Sequence, residues 1–361
     1  MPAESTLRLR PLGFVTGTTA AYAIERGLAL PLAGGPRAFT AVEALARGLQ
    51  GETISALGTL AELRNWAGEV SMRVAQTRTV LDRLTRARGP FAGLSLDRPL
   101  LMGIVNVTPD SFSDGGAYFD SGRAVVHGQA LLAAGADILD IGGESTRPGA
   151  TPVAPDEEAK RILPVVRALA EAGAVVSADT RHASVMAAAL GAGARIVNDV
   201  TALSGDPASP GVVARAGAAV VLMHMQGEPG ALPEAPTYRD VSLDVFDYLE
   251  ARLAACRRAG IADANMAVDP GIGFGKTAGH NFMLLARLSL LHGLGTCILV
   301  GASRKSFIAK ASRGEGTGER LSGSLVAAIS AAAQGAQILR VHDVAETRQA
   351  LAILSGLDSA S

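Results

Sequence analysis

One pattern of apolar and polar positions occurs eight times along this chain. In each occurrence a short apolar run ends in a polar residue, and a polar or glycine-containing loop follows. In the first, LLMGIVNVTPDSFSDGG, the apolar run predicts a buried strand that ends at Asn106. In a barrel of parallel strands, such strand ends carry the functional side chains. The eight segments are residues 100–116, 136–149, 174–180, 194–200, 218–227, 265–276, 297–306 and 337–344.

Segments with helical spacing lie between these predicted strands. Strands that alternate with helices predict βαβ units and a parallel sheet. Eight such units in about 270 residues predict a closed α/β barrel, the (β/α)8 TIM barrel. The alternative is an open, doubly wound sheet, which is disfavoured because no GxGxxG turn follows any of the strands. The helices are predicted at residues 120–134, 155–172, 182–192, 241–259, 278–291, 319–335 and 343–354.

Residues 1 to about 89 differ in composition from the rest of the chain. They hold 11 arginines and seven acidic residues, which gives a net charge of +4. Apolar residues have helical spacing at residues 35–48 and 68–89, and Gly89-Pro90 is typical of a boundary. We therefore expect an additional small α/β segment of unknown role over residues 1–89, followed by the barrel over residues 90–361.

The composition excludes several classes of protein. Of the 361 residues, 48% are hydrophobic but only 4% are aromatic, so the core is built mainly from aliphatic side chains. The net charge of −1 gives no nucleic-acid-binding footprint. The two cysteines have no metal-ligand spacing and form no disulfide framework. No apolar run reaches the roughly 18 residues of a membrane span, and the N-terminus lacks a secretory signal, so we expect a cytoplasmic protein.

A first group of strand-end residues suits a flat heterocycle. Asp179, Asn198 and Asp269 offer hydrogen-bond acceptors and an amide. Lys305, one of only four lysines in a chain that otherwise uses arginine, offers donors. Buried carboxylates discriminate strongly for an amidine-like ring edge, because a ligand without the matching N–H groups would leave them unpaired. The alternative is that these Asp and Asn side chains only cap the following helices.

A second group of strand-end residues suits an anion. Asn106 comes from the first predicted strand, and Arg340 and His342 come from the last, which is its neighbour once the barrel closes. Arginine and histidine near helix N-termini suit a phosphate or pyrophosphate. The neutral oxygen of Asn106 could complete the shell of a Mg²⁺ ion held otherwise by water and phosphate oxygens.

Three glycine-rich loops follow predicted strands. Residues 108–116 and 142–150 mix glycine, proline, serine and charged residues, a composition typical of mobile lids. Residues 271–276, GIGFGK, form a third flexible loop that carries Phe274. None of them matches a P-loop, and the sequence contains no HExxH, GxSxG or CxxC.

From about residue 90 to the end, the chain resembles the dihydropteroate synthase family, the folate-pathway enzymes that sulfonamides inhibit. The resemblance is highly specific because it rests on long motifs in the same order. These motifs are MGIVNVTPDSFSDGG, DIGGESTRPGA, SADT, IVNDV, LMHMQG, DPGIGFGK, GASRKS and RVHDVAET. The segment 1–89 is a departure, since the compact family pattern does not need it.

The resemblance implies a pterin-binding (β/α)8 barrel, usually a homodimer. It implies a transferase that condenses 6-hydroxymethyl-7,8-dihydropterin pyrophosphate with p-aminobenzoate, releasing 7,8-dihydropteroate and pyrophosphate, with Mg²⁺. No nucleic acid or membrane partner is expected. A dissociative path is expected, because the electron-rich ring can delocalise the cation left by pyrophosphate, and the arylamine needs no strong base before it attacks.

The resemblance also implies a role for individual residues. The family's pterin pocket falls on Asp179, Asn198, Met223, Asp269, Lys305 and Arg340. The pyrophosphate site falls on Asn106, Arg340 and His342, with Asn106 as the metal ligand. The p-aminobenzoate site falls on Phe112, Asp114, Thr146, Arg147, Pro148, Phe274, Lys305 and Ser306. The residues expected to carry catalysis are Asn106, Lys305, Arg340 and His342.

Two other functions are compatible with such a barrel. A methyltransferase acting on methyltetrahydrofolate would share the Asp/Asn pocket, but it would not need a pyrophosphate site built from Arg340, His342 and the SRK loop. A catalytically inactive paralogue would be expected to have lost loop or anion-site residues, and every such motif is intact here.

Overall fold

The structure is a computed structural model. It describes residues 6–107, 117–145, 151–228, 230, 231, 233 and 235–361, with only the backbone of residues 117–120. Two parts follow one another along the chain. An antiparallel sheet with its helices comes first, and a closed parallel barrel surrounded by helices comes second.

The first part, which we call the N-terminal module (residues 6–89), is a four-stranded antiparallel sheet with three helices. The central strand β3 pairs with all three other strands. The strands are Arg8–Val15 (β1), Leu30–Pro31 (β2), Ala38–Arg47 (β3) and Thr53–Thr59 (β4). The helices are Gly17–Glu25 (α1), Leu60–Gly68 (α2) and Ser71–Thr85 (α3).

The helix predicted at residues 35–48 is wrong, because this segment is the central strand β3. Its alanine, leucine and glutamate residues favour a helix locally, but pairing with a strand on either side outweighs that weak preference. Leu45 and Phe39 are fully buried in the strand. The helix predicted within residues 68–89 is confirmed as α3.

The second part is the predicted barrel of eight parallel strands. The last strand pairs with the first, with Arg340 opposite Met102, and this pairing closes the barrel. The (β/α)8 prediction is therefore confirmed. The strands are Leu100–Asn106 (β5), Ile138–Gly142 (β6), Val176–Asp179 (β7), Ile196–Asp199 (β8), Ala219–Met223 (β9), Met266–Asp269 (β10), Cys297–Val300 (β11) and Ile338–Val341 (β12).

Helices follow the barrel strands and cover the outside of the barrel. All seven predicted helices are present, within a few residues at their ends, except that the one predicted at 278–291 ends as a 3₁₀ segment, Leu288–Leu294. Two short helices, α7 and α10, were not predicted because each is too short for a clear apolar period. The barrel helices are Ala117–Ala133 (α4), Pro155–Glu171 (α5), Ala183–Gly191 (α6), Ser209–Ala216 (α7), Val241–Arg258 (α8), Ala278–Ala286 (α9), Ser306–Ala311 (α10), Leu321–Ala333 (α11) and Val344–Ser359 (α12). Across the described ranges, no helix is long and apolar enough to cross a membrane.

The barrel interior changes from apolar to polar along the strands. Its lower layer is a buried apolar cluster that includes Ile138, Ile196 and Ile338, with Phe91 packed against them. Side chains two positions apart on a strand face the same way. The next inward positions are Asp140 on β6, Asn198 on β8 and Arg340 on β12, so polar groups gather at the carboxyl ends of the strands.

The N-terminal module is attached to the barrel by ion pairs. Arg8 bonds Asp247, Arg47 bonds Asp244, and Arg37 bonds Asp358. The Arg88 guanidinium also donates to the carbonyl oxygens of Thr296 (3.2 Å) and His292 (3.2 Å). The arginines of the module therefore pair with acidic residues and donate hydrogen bonds to carbonyl groups of the barrel.

Candidate active site

The centre of the barrel mouth is organised by Arg340. Its Nε donates to Asp140 Oδ2 at 2.5 Å, and its Nη2 donates to Asp179 Oδ2 at 2.7 Å. Asn198 Nδ2 also donates to Asp140 Oδ2, at 3.0 Å. Four strands, β6, β7, β8 and β12, therefore meet through one guanidinium and its two carboxylates.

Asp140 is completely buried and is the anchor of this group. A buried carboxylate is tolerated only when it is paired and hydrogen-bonded, and Arg340 and Asn198 meet that requirement for one of its oxygens. Its Oδ1 has no hydrogen-bond partner among the described protein atoms. No role was predicted for Asp140, because its contact with Arg340 joins β6 and β12, which are far apart in the sequence.

Asp269 and Lys305 form the other side of the mouth. Asp269 is buried at the end of β10, and its Oδ1 accepts from the Gly271 amide at 2.7 Å. Lys305 lies just before α10 and donates to the carbonyl oxygen of Ile272. Its Nζ also lies 4.4 Å from the centre of the Phe274 ring, a cation–π distance. Ser306, the first residue of α10, is exposed.

The backbone that delivers Lys305 is strained. Arg304 has a φ of 57°, a left-handed conformation that costs a non-glycine residue roughly 1–2 kcal/mol. An ion pair with Asp343, with Nε at 3.0 Å from Oδ2, holds its side chain, and its amide donates to Ser324 Oγ at 2.9 Å. These contacts fix the direction in which Lys305 leaves the strand end.

Burial changes the charge properties of these groups. It raises the pKa of Asp179 and of Asp269, although Arg340 and Lys305 respectively act in the opposite direction. Burial lowers the pKa of Lys305 to about 8. For Arg340, burial opposes the charge, but Asp140 and Asp179 outweigh it and raise the pKa. The site therefore holds one permanent cation and one lysine that titrates just above neutral pH.

Asn106 and His342 lie at the ends of β5 and β12, which pair as predicted. Ser303 Oγ accepts the His342 amide at 3.3 Å and lies 3.0 Å from His342 Nδ1. Because a hydroxyl can accept from the amide and donate to Nδ1 at the same time, this geometry is compatible with a ring proton on Nε2. Arg340 belongs to the same pair of strands, but its guanidinium bonds Asp140 and Asp179.

The loop that carries Phe274 lies against the end of β9. Gly271, Gly273 and Gly275 all have positive φ angles, and a Cβ on Gly271 would lie 1.8 Å from the carbonyl oxygen of His224. Lys276 Nζ, at the end of this loop, lies 2.9 Å from His224 Nδ1 and 3.0 Å from the Phe274 carbonyl oxygen. Met223, the predicted pterin contact, is buried at the end of β9.

Lys276 and His224 were not predicted as a pair. Burial lowers the pKa of Lys276 to about 7 and that of His224 to about 3, so the imidazole is neutral and can accept from the lysine. The only signal in the sequence was that Lys276 is one of four lysines and follows a strand.

Five residues of the predicted p-aminobenzoate site lie outside the described part of the chain. Just before the second of their two loops, the Glu144 carboxylate accepts from Arg181 Nε at 2.9 Å and from the Val153 amide at 3.1 Å. The five residues are Phe112, Asp114, Thr146, Arg147 and Pro148.

The barrel and its polar mouth match a known class of protein. The family model described as pterin binding enzyme matches residues 102–342, which include every strand end described above. The fold and the site therefore define a pterin-binding barrel.

Known relatives narrow the class. The dihydropteroate synthase of Escherichia coli (strain K12) is 48% identical over 268 residues, which are 74% of this chain and 94% of that protein. The Xanthomonas albilineans dihydropteroate synthase solved with 4-aminobenzoic acid is 47% identical, with a TM-score of 0.70, over 74% of this chain and 97% of that one. The same enzyme with 7,8-dihydropteroate is 44% identical, with a TM-score of 0.67, over 74% and 96%. This chain belongs to the dihydropteroate synthase family of pterin-binding enzymes.

Proposed function

We propose that this protein is a dihydropteroate synthase, a transferase that joins 6-hydroxymethyl-7,8-dihydropterin pyrophosphate to p-aminobenzoate and releases pyrophosphate. The observation that carries the proposal is the group of buried Asp140, Asn198 and Asp269 and half-buried Asp179, Lys305 and Arg340 side chains at the barrel mouth. It supports the same chemistry as relatives whose solved structures hold 4-aminobenzoic acid and 7,8-dihydropteroate.

The proposed pterin pocket uses Asp179, Asn198 and Asp269 as acceptors for the amidine-like edge of the ring. Lys305 would donate to the ring carbonyl, and Met223 and Arg340 would lie against the ring. This assignment is supported by the burial of Asp269 and Asn198, because a buried polar group left without a partner is costly and therefore selects for a ligand that supplies the matching hydrogen bonds. The second oxygen of Asp140, which accepts no hydrogen bond from the described residues, adds a further acceptor nearby.

The proposed pyrophosphate site uses Asn106, His342 and Arg340. With Nδ1 accepting from Ser303, His342 Nε2 would be a donor, and the ion pairs with Asp140 and Asp179 keep Arg340 charged. Together they would neutralise the charge that grows on the leaving pyrophosphate. Stabilisation of developing charge by fixed donors is usually the largest contribution an active site makes.

The residues fit a Mg²⁺ ion that arrives with the pyrophosphate. Within the described ranges, no group of three or more His, Cys, Asp and Glu side chains could hold a metal ion. Mg²⁺ commonly binds through one protein oxygen, several waters and phosphate oxygens, and Asn106 supplies such an oxygen at the strand end. When bound, the ion would add positive charge beside the leaving group.

The proposed reaction needs little acid–base chemistry from the protein. The bond between the pterin methylene carbon and the pyrophosphate oxygen breaks, and the ring delocalises the positive charge. The neutral amine of p-aminobenzoate then forms the new carbon–nitrogen bond, and its proton passes to pyrophosphate or solvent. The chain's task is to hold the two substrates in line and exclude water. The proposed p-aminobenzoate contacts are Phe274, Lys305 and Ser306, with Phe112, Asp114, Thr146, Arg147 and Pro148.

The remaining proposals concern the surroundings of the enzyme. We propose a cytoplasmic homodimer that acts on small molecules and has no nucleic-acid or membrane partner. The dimer contact is assigned to α11. Cell fractionation and sedimentation would test these two proposals.

The function is tested by mixing the purified protein with dihydropterin pyrophosphate, p-aminobenzoate and Mg²⁺ and following pyrophosphate release. We expect release that depends on p-aminobenzoate and falls about tenfold to a hundredfold in Lys305→Ala, since loss of a charged hydrogen bond to the ring carbonyl costs about 1.5–3 kcal/mol. Pterin binding without release would favour the methyltransferase or the inactive paralogue. Complementation of a strain that lacks the synthase distinguishes an active enzyme from the paralogue.

A further inference from the structure

The N-terminal module lies outside the region that the family model matches. The match to the Escherichia coli relative covers 94% of that protein, which leaves too little of it to contain such a module. The module therefore needs an explanation of its own. Its hairpin of β3 and β4 lies beside the N-terminus of α8, at the same end of the barrel as the active site.

The hairpin makes several contacts there. Arg47 forms an ion pair with Asp244, and its Nη2 is 3.6 Å from Asp247. Thr53 Oγ1 donates to Asp240 Oδ2 at 3.2 Å. The turn of the hairpin is close to the barrel as well, because a Cβ on Gly51 would lie 2.5 Å from the Arg239 guanidinium.

Asp244 connects these contacts to the segment just before α8. Arg47 bonds one carboxylate oxygen of Asp244, and the other oxygen accepts from the backbone amide of Arg239 at 2.9 Å. A single carboxylate therefore bonds the module through one oxygen and fixes the backbone of residues 238–240 through the other.

The next contact reaches the substrate loop. Tyr238 Oη donates to the carbonyl oxygen of Gly275 at 2.8 Å, and the Tyr238 ring packs edge-on against His280 with centroids 4.9 Å apart. Gly275 directly follows Phe274, whose ring lies beside Lys305. The loop itself is rich in glycine with positive φ and would be costly to order without such external contacts.

We propose that the N-terminal module is a positioning element for the p-aminobenzoate site. It acts through Arg47, Asp244, Tyr238 and Gly275 to hold the Phe274 loop in the conformation that receives the arylamine. The proposal rests on the proposed function in that Phe274 lines the p-aminobenzoate site. Arg47 is not among the proposed substrate contacts, so its effect is on the geometry of the loop.

The test is the variant Arg47→Met, which removes the ion pair but keeps an unbranched apolar stem. We expect the KM for p-aminobenzoate to rise about fivefold, the size of a weak coupling between sites, with the KM for the pterin substrate unchanged. Arg47→Lys should recover most of the loss. Tyr238→Phe should have the same effect as Arg47→Met, and the double variant should be no worse than either single one.

Arg37→Met is the matched control. Arg37 also joins the module to the barrel, through Asp358 and the Ala332 carbonyl oxygen, but at the opposite end of the barrel. Its loss should lower stability and leave the KM for p-aminobenzoate unchanged. If Arg37→Met raises this KM as much as Arg47→Met does, the effect is general loosening and the proposal is wrong.

A second readout does not depend on catalysis. The amides of Gly271, Gly273 and Phe274 are hydrogen-bonded, and their hydrogen exchange in the unliganded protein reports loop order. We expect faster exchange in Arg47→Met and Tyr238→Phe but not in Arg37→Met. Unchanged exchange in Tyr238→Phe, which leaves the module contacts intact, would overturn the proposal. A wild-type protein without synthase activity but with these exchange effects would refute the proposed function alone.

Discussion

At the residue scale, Arg340 is the central contact of the barrel mouth, because its guanidinium bonds two carboxylates. Among the described residues it is the charged partner of fully buried Asp140, and it also pairs with Asp179. A buried ion pair contributes little net stability, but removal of one partner leaves an uncompensated buried charge. The guanidinium therefore has a structural task even before any substrate binds.

We expect Arg340→Met to lower the free energy of unfolding by about 3 kcal/mol and to abolish turnover. The double variant Arg340→Met/Asp140→Asn removes the orphaned charge and should recover most of this stability, but no activity. Urea unfolding and the pyrophosphate assay measure the two effects separately. Recovery of activity in the double variant would show that Arg340 has only a structural role.

The lysine at the mouth makes activity dependent on pH. Burial lowers the pKa of Lys305 to about 8. The side chain is therefore fully protonated well below pH 8 and loses its charge as the pH rises through that value. If Lys305 binds substrate as a cation, kcat/KM for the pterin substrate should fall roughly tenfold per pH unit above pH 8. Lys276→Gln serves as the control, since it removes the other buried lysine and should keep this alkaline limb. If the fall in kcat/KM above pH 8 disappears in Lys276→Gln, Lys276 rather than Lys305 is its cause.

The position of a single residue could be predicted from the sequence where it depends only on the strand that carries the residue. Asp179, Asn198, Asp269 and Arg340 were predicted to lie at strand ends, and each does. The partners of Arg340, the bond between Lys276 and His224, and the contact of Tyr238 with Gly275 join segments far apart in the chain. No local pattern contains that information.

The loop of residues 271–276 shows how an element depends on a close approach between backbones. Gly271 has a φ of 67°, and a Cβ there would lie 1.8 Å from the His224 carbonyl oxygen. The loop and the end of β9 can touch only because this residue has no side chain.

We expect Gly271→Ala to displace the loop, raise the KM for p-aminobenzoate about tenfold and lower the melting temperature, because both backbone strain and a clash are introduced. Gly217→Ala is a matched control, since Gly217 has a φ of 60° but has open space around its Cβ position. The control should lose about 1 kcal/mol of stability from strain alone and keep its KM. If both variants raise the KM equally, the clash with the His224 carbonyl oxygen is not the cause.

Helices and strands were predicted well where tertiary pairing agreed with local preference. The barrel strands are short, apolar and bounded by polar loops, and the long barrel helices have clear apolar periods. Strand β3 is the exception, because its alanine-rich sequence resembles a helix and its strand pairing comes from β1 and β4.

The surface of the whole molecule supports the proposed dimer. Val326 on α11 is 70% exposed, and Ile353 and Leu357 on the neighbouring α12 are 64% and 66% exposed. We expect Val326→Glu to convert the dimer to a monomer in sedimentation velocity, because a charge would be buried in the contact. Val126→Glu on α4, where Val126 is 65% exposed, is the control and should leave the sedimentation coefficient unchanged.

The closed barrel could be predicted as a whole because eight strand–helix units leave few alternatives. The placement of the N-terminal module could not be predicted. Its position depends on arginines that pair with carboxylates on α8 and α12, and an arginine-rich segment by itself is compatible with many partners.

These pairings also set an order in time. Arg47, Arg8 and Arg37 bond residues that lie 197, 239 and 321 positions later in the chain. At the about 5–20 residues per second at which ribosomes work, synthesis of the module is complete roughly 8 to 30 seconds before the first of these carboxylates has been made. During that interval Asp244, Asp247 and Asp358, the partners of these arginines, have not been made, and neither has the Phe274 loop. Docking through Arg37 therefore waits for Asp358, whereas the Arg47 contact that supports the Phe274 loop needs the chain only up to about residue 276.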